Sequence, residues 1–233
     1  MKRAVVVGAS SGIGREVALL LQERGWTVGV AARRQDRLAP FDVAMQIDVT
    51  TQDAGHRLLQ LVEKLGGMDL YFHASGIGHQ NRELHEDIEL STVETNALGF
   101  TRMVGTAFRY MAAHGGGHIA VISSIAGTKG LGPAPAYSAT KALQNTYIEA
   151  LEQLANARGL GIRFTDIRPG FVGTDLLNDG GRYPMLLKKE HVALDIVRSL
   201  EHRRHVRVID CRWRVVTWLW RRIPRCVWRR LRL

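Results

Sequence analysis

Tyr137 and Lys141 stand four residues apart in the run Tyr137-Ser138-Ala139-Thr140-Lys141, so on a helix they share one face and can meet the same ligand. The pair suits proton transfer. A phenol with an ordinary pKa of about 10 is a poor base at neutral pH, and an adjacent ammonium favours its ionised form. Bringing it to neutrality takes roughly 4 kcal/mol of differential electrostatic stabilisation, which a neutral neighbour cannot supply. Such a pair also occurs on ordinary amphipathic helices, so its meaning depends on what else the chain carries.

The chain carries Gly8-Ala9-Ser10-Ser11-Gly12-Ile13-Gly14, directly after the apolar run Ala4-Val5-Val6-Val7. A strand, a glycine turn and a helix N-terminus bring backbone N–H groups and the positive helix end against a pyrophosphate. Glycine allows an approach that a Cβ would block. Ser10, Ser11 and Ile13 belong to the same cradle. A second apolar run ends Val28-Gly29-Val30-Ala31-Ala32, with Arg33 and Arg34 next. A reader of NAD(H) places an acid there for the ribose 2′-OH, whereas two guanidinium groups suit a 2′-phosphate. NADP(H) is therefore expected in preference to NAD(H), although arginines after a strand also occur simply in water.

These motifs, together with others in the same order, resemble the short-chain dehydrogenase/reductase family. The Gly-x-x-x-Gly-x-Gly spacing is that family's. Asp48-Val49-Thr50 resembles its adenine-side motif, and Asn96 falls at its asparagine position. Ser124, in Ser123-Ser124, lies at the family's distance from Tyr137. Pro169-Gly170-Phe171-Val172-Gly173-Thr174 is similar to its nicotinamide-side loop. The likeness covers residues 5 to about 175. It implies a single-domain Rossmann-like, doubly wound parallel sheet of about seven strands, and hydride transfer between a nicotinamide and a carbonyl or alcohol substrate. On the same resemblance Tyr137 is the acid/base and Ser124 a second donor to the reacting oxygen. Lys141 holds the nicotinamide ribose, and Asn96 anchors a water linking the lysine to solvent. Asp48, Val49, Ser75, Gly76, Pro169, Gly170, Val172 and Thr174 complete the cofactor channel. One departure is His73-Ala74-Ser75-Gly76, where the family usually has Asn-Asn-Ala-Gly. The resemblance also implies a homodimer or homotetramer, with the helices holding Asn96 and Tyr137 forming a four-helix seam. The other reading is a non-catalytic NADP(H)-binding sensor or scaffold at a membrane surface, which has no need of Ser124 and Tyr137 together.

The elements that must position these residues are legible as an α/β alternation. Strands are expected near 3–7, 27–32, 43–47, 68–73, 117–123, 161–167 and 205–209. Amphipathic helices are expected near 13–24, 52–65, 88–112, 136–157 and 190–201, the first ending at Gly25. Between the second and third strands there is room for one helical turn. The segments 77–84, 125–135 and 175–189 should frame the substrate, and Leu176, Leu177, Tyr183, Met185, Leu186 and Leu187 suit a partly apolar one. They serve equally as ordinary packing. The histidines have no metal-ligand spacing, so no metal is expected.

The chain has 233 residues, enough for one sizeable domain, and no apolar run approaches the ~20 residues of a membrane-spanning helix. No secretory signal is read at the N-terminus, and two cysteines make no disulfide framework, so a cytoplasmic setting is expected. The net charge of +10 is confined to residues 203–233, which hold eleven arginines and one acid; the remainder balances 21 basic against 21 acidic residues. Residues 1–210 thus read as the dinucleotide-binding catalytic domain and 211–233 as a basic tail. That tail holds Trp213, Trp218, Trp220 and Trp228. At 100° per residue Trp213, Val216, Leu219, Trp220 and Ile223 share a side, Arg214, Arg221 and Arg222 point away, and Pro224 ends the helix. Peripheral contact with an anionic inner-membrane surface is one expectation, and packing on the chain's own domain or a partner subunit is the other. No nucleic-acid recognition module is visible.

Overall fold

The computed structural model describes residues 2–177 and 183–231. Part of the expected substrate segment (178–182) and the last two tail residues lie outside them. Strands Arg3–Val7 (β1), Thr27–Ala32 (β2), Val43–Gln46 (β3), Leu70–His73 (β4), Gly117–Ile122 (β5), Ile162–Arg168 (β6) and Val206–Val208 (β7) form one sheet in the order β3-β2-β1-β4-β5-β6-β7. Every pairing is parallel. A parallel sheet must be covered on both faces, and β1 shows how its residues meet that demand. Val5 and Val7 point into one core with helices Ala54–Leu65 (α2), Phe100–Ala113 (α4) and Pro135–Ala157 (α5). Ala4 and Val6 point into the other, with Gly12–Glu23 (α1) and Lys189–Glu201 (α6).

The chain runs outward from β1 through β2 to β3, then returns to the other side of β1 as β4. This reversal opens a crevice at the C-terminal ends of β1 and β4. The glycine turn after β1 and the His73–Gly76 segment meet there. The link between β2 and β3 is a single 3₁₀ turn, Asp36–Leu38.

The helix expected over 88–112 is three pieces: Glu86–Val93 (α3), a π-helical turn Glu94–Gly99, and α4. The turn ends at a close tertiary contact: a Cβ on Gly99 would lie 2.9 Å from the carbonyl oxygen of Val49, an approach that glycine permits. The tail forms a helix Cys211–Arg222 (α7) and, after Pro224, a short helix Arg225–Trp228 (α8). Among the described residues no helix is long and apolar enough to cross a membrane.

Candidate active site

The glycine turn is built for close backbone approach. Gly8 has φ +94°, and a Cβ on it would lie 2.5 Å from the amide nitrogen of Ser75; one on Gly14 would lie 2.3 Å from the carbonyl oxygen of Gly8. The N-terminus of α1 at Gly12 therefore opens, bare of side chains, onto a cleft of about 300 Å³ lined by Gly12, Gly173, Thr174, Asp175, Leu177, Tyr183, Leu186 and Lys189. These features fit the pyrophosphate of a dinucleotide. At the end of β2, Arg34 Nη2 donates to Ser10 Oγ (3.1 Å) and Ser11 Oγ (2.9 Å), which brings a guanidinium to the rim of the cradle. Arg33 is exposed, and its carbonyl oxygen accepts from Gln46 Nε2 (3.0 Å). Ile13 is partly buried in the α1 core rather than open to the cleft.

After β3, Asp48 Oδ1 accepts from the Thr50 amide (3.0 Å) and Thr50 Oγ1 (2.8 Å), which fixes the carboxylate at the strand end. The Val49 side chain is buried against Gly99, so any contact it makes with an adenine is through its backbone. On the opposite side, Pro169 accepts the Ile125 amide (3.1 Å), and Val172 is buried in a bridge to Leu187. Thr174 faces Gly12 across the cleft. Gly170 packs against the Trp213 indole, where a Cβ would approach to 2.3 Å.

Four polar residues meet where β4 and β5 end. Ser123 and Ser124 point to opposite sides. Ser123 Oγ is buried and bonded to the carboxylate of Asp166 in β6. Ser124 caps the turn Ile125–Thr128, accepting the Ala126 amide (3.1 Å), and its hydroxyl is near enough to Tyr137 to favour the ionised phenol. Pro135 at the first position of α5 starts that helix, and Tyr137, Lys141, Gln144 and Ile148 form its inward stripe. Lys141 Nζ donates to the Ile122 carbonyl (3.1 Å) and to Gln144 Oε1 (2.9 Å). Burial pulls the ammonium down to a pKa of about 8, against the opposing charge of Asp166.

Asn96, on the π-helical turn, is fully buried. Its side chain clamps Ile77 through both backbone groups, Oδ1 accepting the amide (2.9 Å) and Nδ2 donating to the carbonyl (2.6 Å). It thereby fixes the Ser75–Gly78 loop, in which a Cβ on Gly78 would strike the Tyr137 ring at 2.6 Å. The main-chain carbonyl of Asn96 accepts Gln144 Nε2 (2.8 Å). A protein amide thus joins the Asn96 backbone to the Lys141 ammonium. The His73 departure is also explained. Its Nδ1 pairs with the Tyr71 hydroxyl (2.8 Å) inside the core, and burial followed by the nearby Lys141 charge lowers its pKa to about 3, so it is neutral.

Burial pushes the phenol of Tyr137 above its ordinary value, and Ser124 opposes the rise. The Lys141 ammonium lies 5.7 Å from the Tyr137 ring centroid and is held by Ile122 and Gln144.

Two residues that motif spacing does not pick out are Gln144 and Asp166. Gln144 lies in phase with Tyr137 and Lys141, a readable signal, but its partner is 48 positions away. Asp166 hides in the β-branched pattern of β6, buried between Ser123 and Arg168 (2.7 Å).

A family profile described as short chain dehydrogenase matches residues 2–182. The chain is 34% identical over 210 residues to an uncharacterized oxidoreductase of Myxococcus xanthus, covering 84% of this chain and 82% of that one. It is 31% identical over 224 residues to an uncharacterized oxidoreductase of Staphylococcus aureus, covering 89% and 94%. Among solved structures it is similar to one described as a short-chain alcohol dehydrogenase from Sinorhizobium meliloti, with a TM-score of 0.80 and 25% identity over 92% of this chain and 96% of that chain.

Proposed function

The chain belongs to the short-chain dehydrogenase family of oxidoreductases, and from that premise we propose that it is an NADP(H)-dependent enzyme interconverting a carbonyl and an alcohol. The observation that carries this reading is the meeting of Ser124, Tyr137 and Lys141 at the C-terminal edge of the sheet that also holds the phosphate cradle, with the Lys141 ammonium 5.7 Å from the Tyr137 ring centroid. When bound, the reduced dinucleotide supplies a hydride to the carbonyl carbon. Tyr137 Oη gives its proton to the carbonyl oxygen, and Ser124 Oγ donates a hydrogen bond to that oxygen as negative charge develops on it. The Lys141 ammonium, 5.7 Å from the Tyr137 ring centroid, supplies positive charge that favours the phenolate left behind. Gln144 holds that ammonium and ties it to the Asn96 carbonyl.

Burial keeps Tyr137 protonated at neutral pH, so the resting site is in the protonation state that carbonyl reduction needs. The preference for NADP(H) is supported by Arg34 at the rim of the cradle and by the lack of an acid between Thr27 and Gln35. Removing Arg34 should narrow the ratio of NADP⁺ to NAD⁺ affinity by roughly 10- to 100-fold, the worth of a charge-assisted hydrogen bond. Titration of Arg34→Ala with both dinucleotides checks this; an unchanged ratio contradicts the assignment. The half-exposed Leu186 and Leu176 around the cleft suit a partly apolar carbonyl compound. NADPH oxidation across aldehydes, ketones and quinones tests the function itself, and no consumption with any of them would count against it. Self-association into a homodimer or homotetramer is assigned to the face carrying exposed Leu98, Leu143 and Leu154.

A further inference from the structure

The tail divides its aromatic residues between two faces, which the helical projection alone does not resolve. The inward face is occupied. Trp213 stands edge-on to Phe171 (5.6 Å between ring centroids) and against Gly170, and Thr217 is buried beside it. Trp220 packs edge-on to Trp228 (5.5 Å), whose Nε1 donates to the Gly130 carbonyl (2.7 Å). Lys129 Nζ donates to the Ile223 carbonyl (3.0 Å). These contacts strap α7 and α8 across the loops at 125–132 and 169–171. The outward face is a different set: Val215 is 58% exposed, Trp218 53% and Leu219 49%, with Val227 and Leu231 beyond them on α8 and after it. Between them stand Arg214, Arg221, Arg222, Arg225, Arg229 and Arg230, all exposed. The one acid of the stretch, Asp210, is consumed locally: it caps α7 through the Arg212 amide (2.8 Å) and pairs with the Arg212 guanidinium (2.9 Å).

We propose that this outward face of α7 and α8 docks onto the surface of an anionic lipid bilayer. An amphipathic helix in the interface plane buries its apolar side chains at the headgroup boundary, a depth that tryptophan favours, while arginines pair with lipid phosphates. Arg222 already lies over the Trp218 ring, 3.5 Å from its centroid, so the two side chains present one apolar and cationic unit. The charge pattern selects this occupant. A second copy of the same face would set arginines against arginines across a two-fold interface. A nucleic acid would satisfy the arginines but leave Val215, Leu219, Val227 and Leu231 without apolar partners. Docked this way, the chain holds its 125–132 and 169–171 loops beside the lipid. On the oxidoreductase reading that favours a membrane-dissolved substrate, but the docking does not depend on that reading and its test needs no turnover.

The test is sedimentation of the full chain with vesicles of phosphatidylcholine alone or with about a third phosphatidylglycerol. The protein should pellet with the anionic vesicles at low salt and be released near 1 M salt, where charge interactions reach only about 3 Å. Combining Arg214→Gln, Arg221→Gln and Arg222→Gln should lower the partition coefficient on the order of a hundredfold, at about 1 kcal/mol per arginine. Combining Val215→Ser, Trp218→Ser and Leu219→Ser should weaken binding without altering its salt dependence. Because these side chains point outward, thermal melting should hold steady in both variants. Equal binding to neutral vesicles, no binding to either kind, or tighter binding to RNA than to the anionic vesicles overturns the proposal. So does a folded arginine variant that pellets as the parent does. The lipid and salt comparisons on the unaltered chain decide the matter even if a variant fails to fold.

Discussion

At the scale of single residues, Lys141 makes the chemistry measurable as a function of pH. Its ammonium is present below a pKa of about 8 and lost above it, while burial keeps Tyr137 protonated through that range. On the proposed mechanism, proton transfer from Tyr137 needs the ammonium's charge near the forming phenolate, so kcat/KM for a carbonyl should fall about tenfold per pH unit above pH 8. Gln144→Glu places a carboxylate on the ammonium and should move the fall to higher pH; Gln144→Leu should move it lower. Initial-rate profiles check both, and a fall that stays in place in both variants would separate Gln144 from the lysine. His73 acts on stability instead. Its folded pKa is depressed to about 3 from about 6.5, so the unfolded chain takes up the proton first as pH falls. Stability contributed by the neutral ring is complete above pH 6.5 and declines towards pH 3. His73→Asn should remove that decline, which acid titration of the unfolding midpoint would reveal. The i, i+4 spacing of Tyr137 and Lys141 was legible in sequence, whereas Ser124 was singled out only through the family's spacing. The burial that raises the Tyr137 pKa was not legible, and neither were the Ile122 and Gln144 partners of Lys141, which no local pattern announces.

At the scale of elements, alternation and capping reveal most of the frame. Seven strands can be read as short β-branched runs and the long helices from a period of 3.6, and Gly25 follows the first helix with φ +78°. The π-helical turn that carries Asn96 is invisible to periodicity, as is the close approach of the Val49 backbone to Gly99 from another part of the chain. The packing direction of the tail is likewise tertiary. Leu219 was grouped with Trp213 and Trp220 by helical phase, yet it is turned outward, since Gly170 and Phe171 receive the helix on its Trp213 and Thr217 side. This contact yields a stability prediction. Gly170→Ala drives a Cβ into the Trp213 indole and should cost about 1–3 kcal/mol. In a Trp213→Ala background the same change should cost close to nothing, because the obstruction is gone. Denaturant unfolding of the double-mutant cycle measures the coupling; equal costs in both backgrounds would mean that the indole does not press on the loop.

At the scale of the whole molecule, a charge-balanced α/β body carries a strongly cationic strap over its 125–132 and 169–171 loops. Body and strap have separate tests, because the outward arginines make no contact with the Ser124–Tyr137–Lys141 group. The proposed self-association is tested at the same scale. Leu143→Arg on the exposed face of α5 should shift the assembly to smaller species in sedimentation velocity, since a lone guanidinium in an apolar seam has no counter-charge. An unchanged profile would place the interface elsewhere. The central claim, that Tyr137 moves the proton, is reached most directly by following NADPH oxidation with a turned-over carbonyl in Tyr137→Phe. That variant keeps the ring and removes only the hydroxyl. The account predicts NADPH affinity close to that of the parent and turnover lowered by roughly 10²- to 10⁴-fold. Parental turnover in that variant would contradict it.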